Sequence, residues 1–155
     1  MRHLLLFDRS DQQLKTQGQE METRILQSFA KQSMMQTFGA DLTRVTEGEV
    51  QITAPILPGS RQQHGVAHAA LTFALGDTAA GYAALTKMPI DHEVMTAEIK
   101  INLLAPGAGD YLRATGRVIK PGRRLVVVTA EVHAITDAEE KLIAILQGTM
   151  VPVVL

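Results

Sequence analysis

Asp77 is the residue in this chain with the clearest capacity for chemistry. It stands in Leu75-Gly76-Asp77-Thr78-Ala79, within a segment made mostly of alanine and other apolar residues. Burying a carboxylate is costly unless it is paired or hydrogen-bonded. Asp77 is therefore either an N-cap behind a break at Gly76 or a general base or nucleophile at the edge of a pocket. Just upstream, Gln62-Gln63-His64-Gly65-Val66-Ala67-His68-Ala69-Ala70 leads into the same segment. A helix starting there offers unpaired backbone N–H groups and a positive dipole end. Such groups polarise a carbonyl and stabilise the oxyanion formed on attack. His68 either joins that machinery or simply caps a loop. His64 and His68 are four apart, a spacing that can hold a metal. However, Gly65 disturbs any regular turn between them, and no third ligand follows at a diagnostic spacing. His92 is only a loop candidate. No metal and no cofactor are expected.

Spacing adds a geometric constraint. If Ala69 and Asp77 share one helix, the eight residues between them span about 12 Å along its axis. An oxyanion donor and an attacking carboxylate must lie within a few ångströms of one carbonyl. Two antiparallel copies of the helix could satisfy this, each offering its start to the other's Asp77. The spacing thus points to a site shared between subunits.

The elements that must position these residues follow from periodicity. Residues 8–20 are polar and read as a mobile lead-in, giving a 1–20 N-terminal segment and a single domain over 21–155. From Met21 the pattern turns helical, with Ile25, Leu26, Phe29, Met34 and Met35 on one apolar stripe and Gly39 as a left-handed stop. Leu42–Val45 and Val50–Ala54 alternate around Glu47-Gly48 as a hairpin. Residues 65–86 hold eight alanines, with Leu71, Phe73, Leu75, Tyr82 and Leu85 around the circumference. That composition predicts a helix buried on most sides. Gly76 and Gly81 within it suggest close approach of another backbone.

After Pro89 the period becomes two. Ala97, Ile99, Ile101 and Leu103 are assigned to one face, and Thr96, Glu98, Lys100 and Asn102 to the other. Tyr111–Ile119 is the next strand. Pro121-Gly122 suits a type II turn, the Val-rich Leu125–Ala134 is a buried strand, and Leu142–Val153 closes the chain. Short connections imply antiparallel neighbours, so the fold class is α+β, a curved sheet with one long apolar helix against it.

The bulk composition excludes several roles. The chain has 155 residues, 46% apolar and 20% charged, with a formal net charge of −1 and no cysteine. Without a basic field, nucleic acid is not an expected partner. Without cysteine, thiolate catalysis and disulfides are excluded. Leu4-Leu5-Leu6-Phe7 is too short for a signal-peptide core, and no apolar run reaches the roughly 20 residues of a membrane span. No membrane role is expected, and the expected location is cytoplasmic.

Taken in order, Gln-Gln-His-Gly, Val-Ala-His, Phe73-Ala-Leu-Gly-Asp77-Thr-Ala-Ala-Gly-Tyr82, Thr96-Ala-Glu-Ile-Lys-Ile-Asn-Leu-Leu-Ala-Pro106 and Gly116-Arg117-Val118 to Gly122-Arg123 resemble the PaaI-type acyl-CoA thioesterases over about residues 34–152. The resemblance implies a hotdog fold, in which a long central helix is wrapped by a curved antiparallel sheet. It also implies homodimers that pair into tetramers, an acyl-CoA substrate and a site between subunits. Residue by residue, Asp77 matches the catalytic acid, Ala69 the residue whose N–H polarises the thioester carbonyl, and His68 the motif histidine. Gln62 matches a polar residue near the thioester, and Thr96 a hydroxyl that orients attacking water.

The family's His-Gly-Gly reads His68-Ala69-Ala70 here. An alanine still donates its N–H, but it lacks the freedom of glycine at positive φ and adds a methyl where the thioester approaches. The further residues expected to contact substrate are Gly65, Ala70, Phe73 and Tyr82. Lys120, Arg123 and Arg124 are expected either to meet CoA phosphates or to form a solvated turn. Phe73, Tyr82 and Met95 are alternatively core residues. The rival functions are a non-catalytic acyl-CoA sensor and a hotdog enoyl-CoA hydratase or dehydratase.

Overall fold

Among the described residues, the central helix packs chiefly against five strands of a six-stranded sheet. In a computed structural model that describes residues 2–154, with side chains from Thr16 onward, the elements run α1 (Arg2–Phe29), α2 (Ser33–Thr37), β1 (Asp41–Thr46), β2 (Glu49–Pro55), a short 3-10 turn (Pro58–Ser60), α3 (Ala69–Leu85), β3 (Glu93–Leu103), β4 (Tyr111–Lys120), β5 (Val126–Ile135) and β6 (Glu140–Val153). The strands form one sheet in the order β1-β2-β4-β5-β6-β3, and every neighbouring pair is antiparallel. α3 packs on β2, β3, β4, β5 and β6. This is the hotdog arrangement that the resemblance implies.

Small residues let helix and sheet meet closely. Ala79, Ala80, Ala83 and Ala84 are fully buried. Directly beneath them lies Gly116 of β4, where a Cβ would sit 2.3 Å from the Ala79 carbonyl carbon and oxygen. The backbone contact is therefore made by a strand glycine. The helix glycines proposed for that role play a different part: the space at Gly76 is taken by the Leu146 side chain, and at Gly81 nothing lies nearer than Val94 Cγ1 at 4.0 Å. β5 alternates as expected, with Val126, Val128, Ala130, Val132 and Ala134 all buried. One stripe of α3 is left uncovered by the sheet: Ala69, Ala70 and Phe73 are exposed, and Ala74, Asp77 and Thr78 half-buried.

Other readings need correction. α1 starts at Arg2, so the segment read as a lead-in has helical backbone. The helical region is also broken at residues 30–32, which shifts the phase between α1 and α2. Ile25 and Met35 are buried, while Leu26 (47%) and Met34 (57%) face solvent. Gly39 and Gly48 adopt φ of 62° and 82° at the helix stop and the hairpin turn. Gly122 is not among the positive-φ glycines, so Pro121-Gly122 is not a type II turn; residues 121–125 form a wider loop.

The strand register holds the most consequential correction. β3 pairs with β6 through Thr96↔Met150 and then Glu98↔Thr149, skipping Ala97. This bulge reverses the faces before and after it. Thr96 lies opposite the fully buried Met150, on the helix side with Ile99 and Ile101, and not with Glu98, Lys100 and Asn102.

Candidate active site

The start of α3 is held by the loop before it. The Arg61 guanidinium donates to the Ile56 carbonyl at 3.1 and 3.2 Å. His68 N–H donates to Ser60 O at 2.8 Å, and Ala67 N–H to Gly107 O at 2.9 Å. Gly65, at φ 84°, turns the chain so that its N–H reaches Gln62 O at 2.9 Å. The Gln62 side chain is used locally, its Oε1 accepting from His64 N–H at 2.7 Å.

His68 is the N-cap of α3, with φ −67° and ψ 144°. Its Nδ1 accepts from Ala70 N–H at 3.0 Å, an assignment that puts the ring proton on Nε2. The His68 carbonyl takes the N–H groups of Leu71 at 3.0 Å and Thr72 at 3.5 Å. Among the described residues nothing accepts from Ala69 N–H. One exposed donor is thus left at the positive end of a 17-residue helix. No residue other than glycine has positive φ among those described, so alanine at positions 69 and 70 fits this backbone without strain. Its departure from His-Gly-Gly leaves the donor in place.

Asp77 lies on the uncovered stripe of the same helix. Thr96 Oγ1 donates to Asp77 Oδ1 at 2.8 Å. Burial raises the Asp77 pKa above the ordinary carboxylate range, and the Thr96 hydrogen bond partly opposes this. The carboxylate is therefore a better base than one in water. It borders a cavity of about 190 Å3 whose walls include Thr78, Tyr82, Thr96, Ser28 and Gln32. Tyr82, expected near substrate, donates from its hydroxyl to Ser28 Oγ at 3.2 Å and accepts from Gln32 Nε2 at 2.8 Å. Its ring lies 6.1 Å from that of Phe29.

The structure brings together Asp77, Thr96 and Tyr82, and separately Gln62, Gly65, His68, Ala69 and Ala70. The two groups stand about 12 Å apart along α3, at 1.5 Å per residue. Phe73 is 38% exposed and Met95 56%, so neither is core. Lys120, Arg123 and Arg124 are exposed at the opposite end of α3 from Ala69. Val118 N–H donates to Gly48 O at 2.9 Å, and Gly48 N–H to Thr86 Oγ1 at 2.7 Å, which sets the far end of β4 beside the helix C-terminus. Arg123 borders a groove there with Lys87 and His92. Among the described residues no group of three His, Asp or Glu could hold a metal, and no helix is long and apolar enough to cross a membrane. Ser28 and Gln32 were invisible to sequence reading, because they come from the α1–α2 joint, far from Asp77 in the chain.

Residues 64–141 match the family model described as the thioesterase superfamily. A thioesterase family protein from Silicibacter pomeroyi superposes with a TM-score of 0.85 at 36% identity, over 86% of this chain and 98% of that one. The chain belongs to the thioesterase superfamily. A conserved protein from Pseudomonas aeruginosa is 32% identical, with a TM-score of 0.70 over 77% of this chain and 93% of that one. The phenylacetic acid degradation protein PaaI from Thermus thermophilus is 25% identical, with a TM-score of 0.68 over 77% and 97%. A comparison with curated proteins gives no match. Membership sets the class of reaction as thioester hydrolysis. The thioesterase match contains the helix start, Asp77 and Thr96, whereas Ser28, Gln32 and Gln62 precede it.

Proposed function

We propose that this thioesterase hydrolyses acyl-CoA, at a site formed by Asp77 of one subunit and the Ala69 N–H of its partner. The observation that carries this reading is the pair of groups on α3: a half-buried carboxylate steadied by Thr96 beside a cavity, and an open amide at the helix start. Each lacks its complement within the chain. A second antiparallel copy of α3 supplies it.

The edge of the sheet supports such a copy. β3 is an edge strand of 11 residues, with Met95 and Leu103 exposed at 56% and 55%. A long unpaired edge is a template for another strand. A twofold axis perpendicular to the sheet beside β3 would pair the two edge strands antiparallel, make the pairing self-complementary and lay the uncovered stripes of two antiparallel α3 helices side by side. The proposed assembly is a homodimer, paired further into a dimer of dimers, and the proposed location is cytoplasmic.

In this mechanism the Ala69 N–H and the helix dipole polarise the thioester carbonyl. Asp77 takes a proton from water, which attacks the carbonyl carbon; alternatively the carboxylate attacks directly and water cleaves the resulting anhydride. The C–S bond breaks and CoA leaves as the thiol. Thr96 orients the carboxylate through Oδ1 and leaves Oδ2 to react. In an antiparallel pair the β4–β5 loop lies near the partner's helix entry, so Lys120, Arg123 and Arg124 can meet the CoA phosphates.

The test is a panel of acyl-CoAs with thiol detection, run on wild type and Asp77→Asn. CoA release that falls by orders of magnitude in the folded, oligomeric variant supports the proposal. Near-full activity in Asp77→Asn removes Asp77 from the mechanism, and binding without CoA release in wild type favours a sensor.

A further inference from the structure

The end of the molecule away from Ala69 is both apolar and basic. A groove there brings together the α3–β3 loop through Pro89 and His92, the β4–β5 loop through Pro121 and Arg123, and the end of β6 through Pro152. Four exposed aliphatic side chains stand around it, each within two residues of that lining: Ile90 (70% exposed), Ile119 (61%), Leu125 (55%) and Val154 (71%). Single exposed aliphatics are ordinary on a protein surface, but four gathered around one groove mark a contact site. Lys120, Arg123 and Arg124 stand among them and are exposed. No carboxylate pairs with these three among the described residues, whereas Lys87 beside the groove is held by Glu47 at 2.7 Å and His92 by Asp91 at 2.8 Å. From Val118 to Ala130 the chain has three cations and no acid. The face is thus locally positive on a chain of net charge −1. It is assembled from separate segments, so neither bulk composition nor the length of apolar runs reveals it.

We propose that this face docks on an anionic lipid surface, with the three cations against headgroup phosphates and the four aliphatic side chains entering the boundary with the acyl chains. The inference goes beyond the catalytic reading. CoA carries phosphates that the same cations can meet, so it is the aliphatic side chains, not the charge, that select a lipid surface. The attachment is peripheral, set by exposed side chains and charge rather than by a spanning segment. Each cation adds roughly fivefold to the affinity for an anionic surface, and salt weakens that attraction. Short, separate anchors suit a fluid surface whose lipids rearrange around them, whereas a folded protein partner asks for one contiguous apolar core.

The chain contains no tryptophan, so Leu125→Trp gives an unmixed fluorescence signal from this face. Tyr111→Trp, at the other end of β4, is its control. Both are titrated with vesicles of phosphatidylcholine, alone or with about a third phosphatidylglycerol. The Leu125→Trp emission should shift to the blue on the anionic vesicles only and return with added salt, while that of Tyr111→Trp stays unchanged. In co-sedimentation, the double variant Ile119→Ser, Leu125→Ser should bind about tenfold more weakly than wild type. The triple variant Lys120→Gln, Arg123→Gln, Arg124→Gln should lose about a hundredfold. Thermal melts check that each variant is folded. No binding of wild type to anionic vesicles, unchanged binding of the serine variant, or an equal shift in both tryptophan variants would overturn the proposal. Binding of CoA but not vesicles, lost in the glutamine variant, would assign the cations to CoA alone and overturn it too. Tighter binding to polyglutamate than to anionic vesicles would overturn it in favour of an acidic protein partner.

Discussion

Thr96 reaches Asp77 because β3 carries one residue too many. The bulge at Ala97 turns Thr96 onto the helix face, where its hydroxyl donates to Asp77 Oδ1 at 2.8 Å. Without that extra residue, Thr96 would point to the outer face with Glu98 and Lys100, and Asp77 would lose this hydrogen bond from β3. A local irregularity in an edge strand thus supplies the hydrogen bond that orients the proposed base and partly offsets the effect of its burial.

The pH dependence of activity follows from this contact. In the proposed mechanism Asp77 acts as the carboxylate, so it must be ionised. Burial raises its pKa, and the Thr96 hydrogen bond lowers it. In Thr96→Val the lowering contact is gone while burial remains, so the pKa rises further. The acid limb of kcat/KM should move to higher pH, and kcat should fall about tenfold from the loss of a hydrogen bond to a charged group. A pH–rate profile checks both. An acid limb that stays in place would show that Asp77 is not the titrating group.

The same shift has an opposite effect on stability. A carboxyl whose pKa is higher in the folded than in the unfolded chain favours folding when protonated, and that contribution is lost as pH rises through the folded pKa. At neutral pH ionised Asp77 therefore destabilises the fold. Asp77→Asn should raise Tm at neutral pH, and the gain should fade as pH falls below the ordinary carboxylate range. Thermal melts across that range decide this; a lower Tm at neutral pH would contradict the account.

Close helix–sheet contact at Gly116 makes a sharper structural prediction. A Cβ there would sit 2.3 Å from Ala79 backbone atoms, so Gly116→Ala should cost about 3 kcal/mol or more through overpacking. Gly81→Ala meets nothing nearer than 4.0 Å and should gain up to about 1 kcal/mol of helix propensity. Urea denaturation of the two variants should move in opposite directions.

Much of this was legible in the sequence. The alanines of α3, the Val alternation of β5 and the Glu47-Gly48 turn are local signals whose tertiary outcome agrees with them. Composition predicts a helix within residues 65–86, and the separation of Ala69 and Asp77 follows on the condition that both lie on it; α3, Ala69–Leu85, meets that condition. Three features were not legible. The bulge at Ala97 has no marker, because alternation reads the same through it until pairing with β6 skips a residue. The backbone contact fell to Gly116, because what decides such an approach is the partner element, not the helix that carries glycines. Ser28 and Gln32 came to the cavity by tertiary folding of a segment whose own pattern is only that of a surface helix.

The donor can be removed without disturbing the helix. Ala69 is the first residue of α3, its N–H has no acceptor among the described residues, and the preceding His68 is already extended. Proline suits that position. Ala69→Pro should therefore fold with an unchanged Tm while kcat drops by about 10²–10³, the usual effect of losing one oxyanion donor. Retained activity would remove this amide from the mechanism.

Complementation between those two lesions tests the shared site most directly. Asp77→Asn and Ala69→Pro chains carrying different tags are co-expressed, and the mixed dimers are purified and assayed with an acyl-CoA. If Asp77 of one subunit works with Ala69 of the other, each mixed dimer regains one intact site and about half the wild-type rate per dimer, given twofold symmetry, although both parents are inactive. Mixed dimers as inactive as their parents would contradict the account.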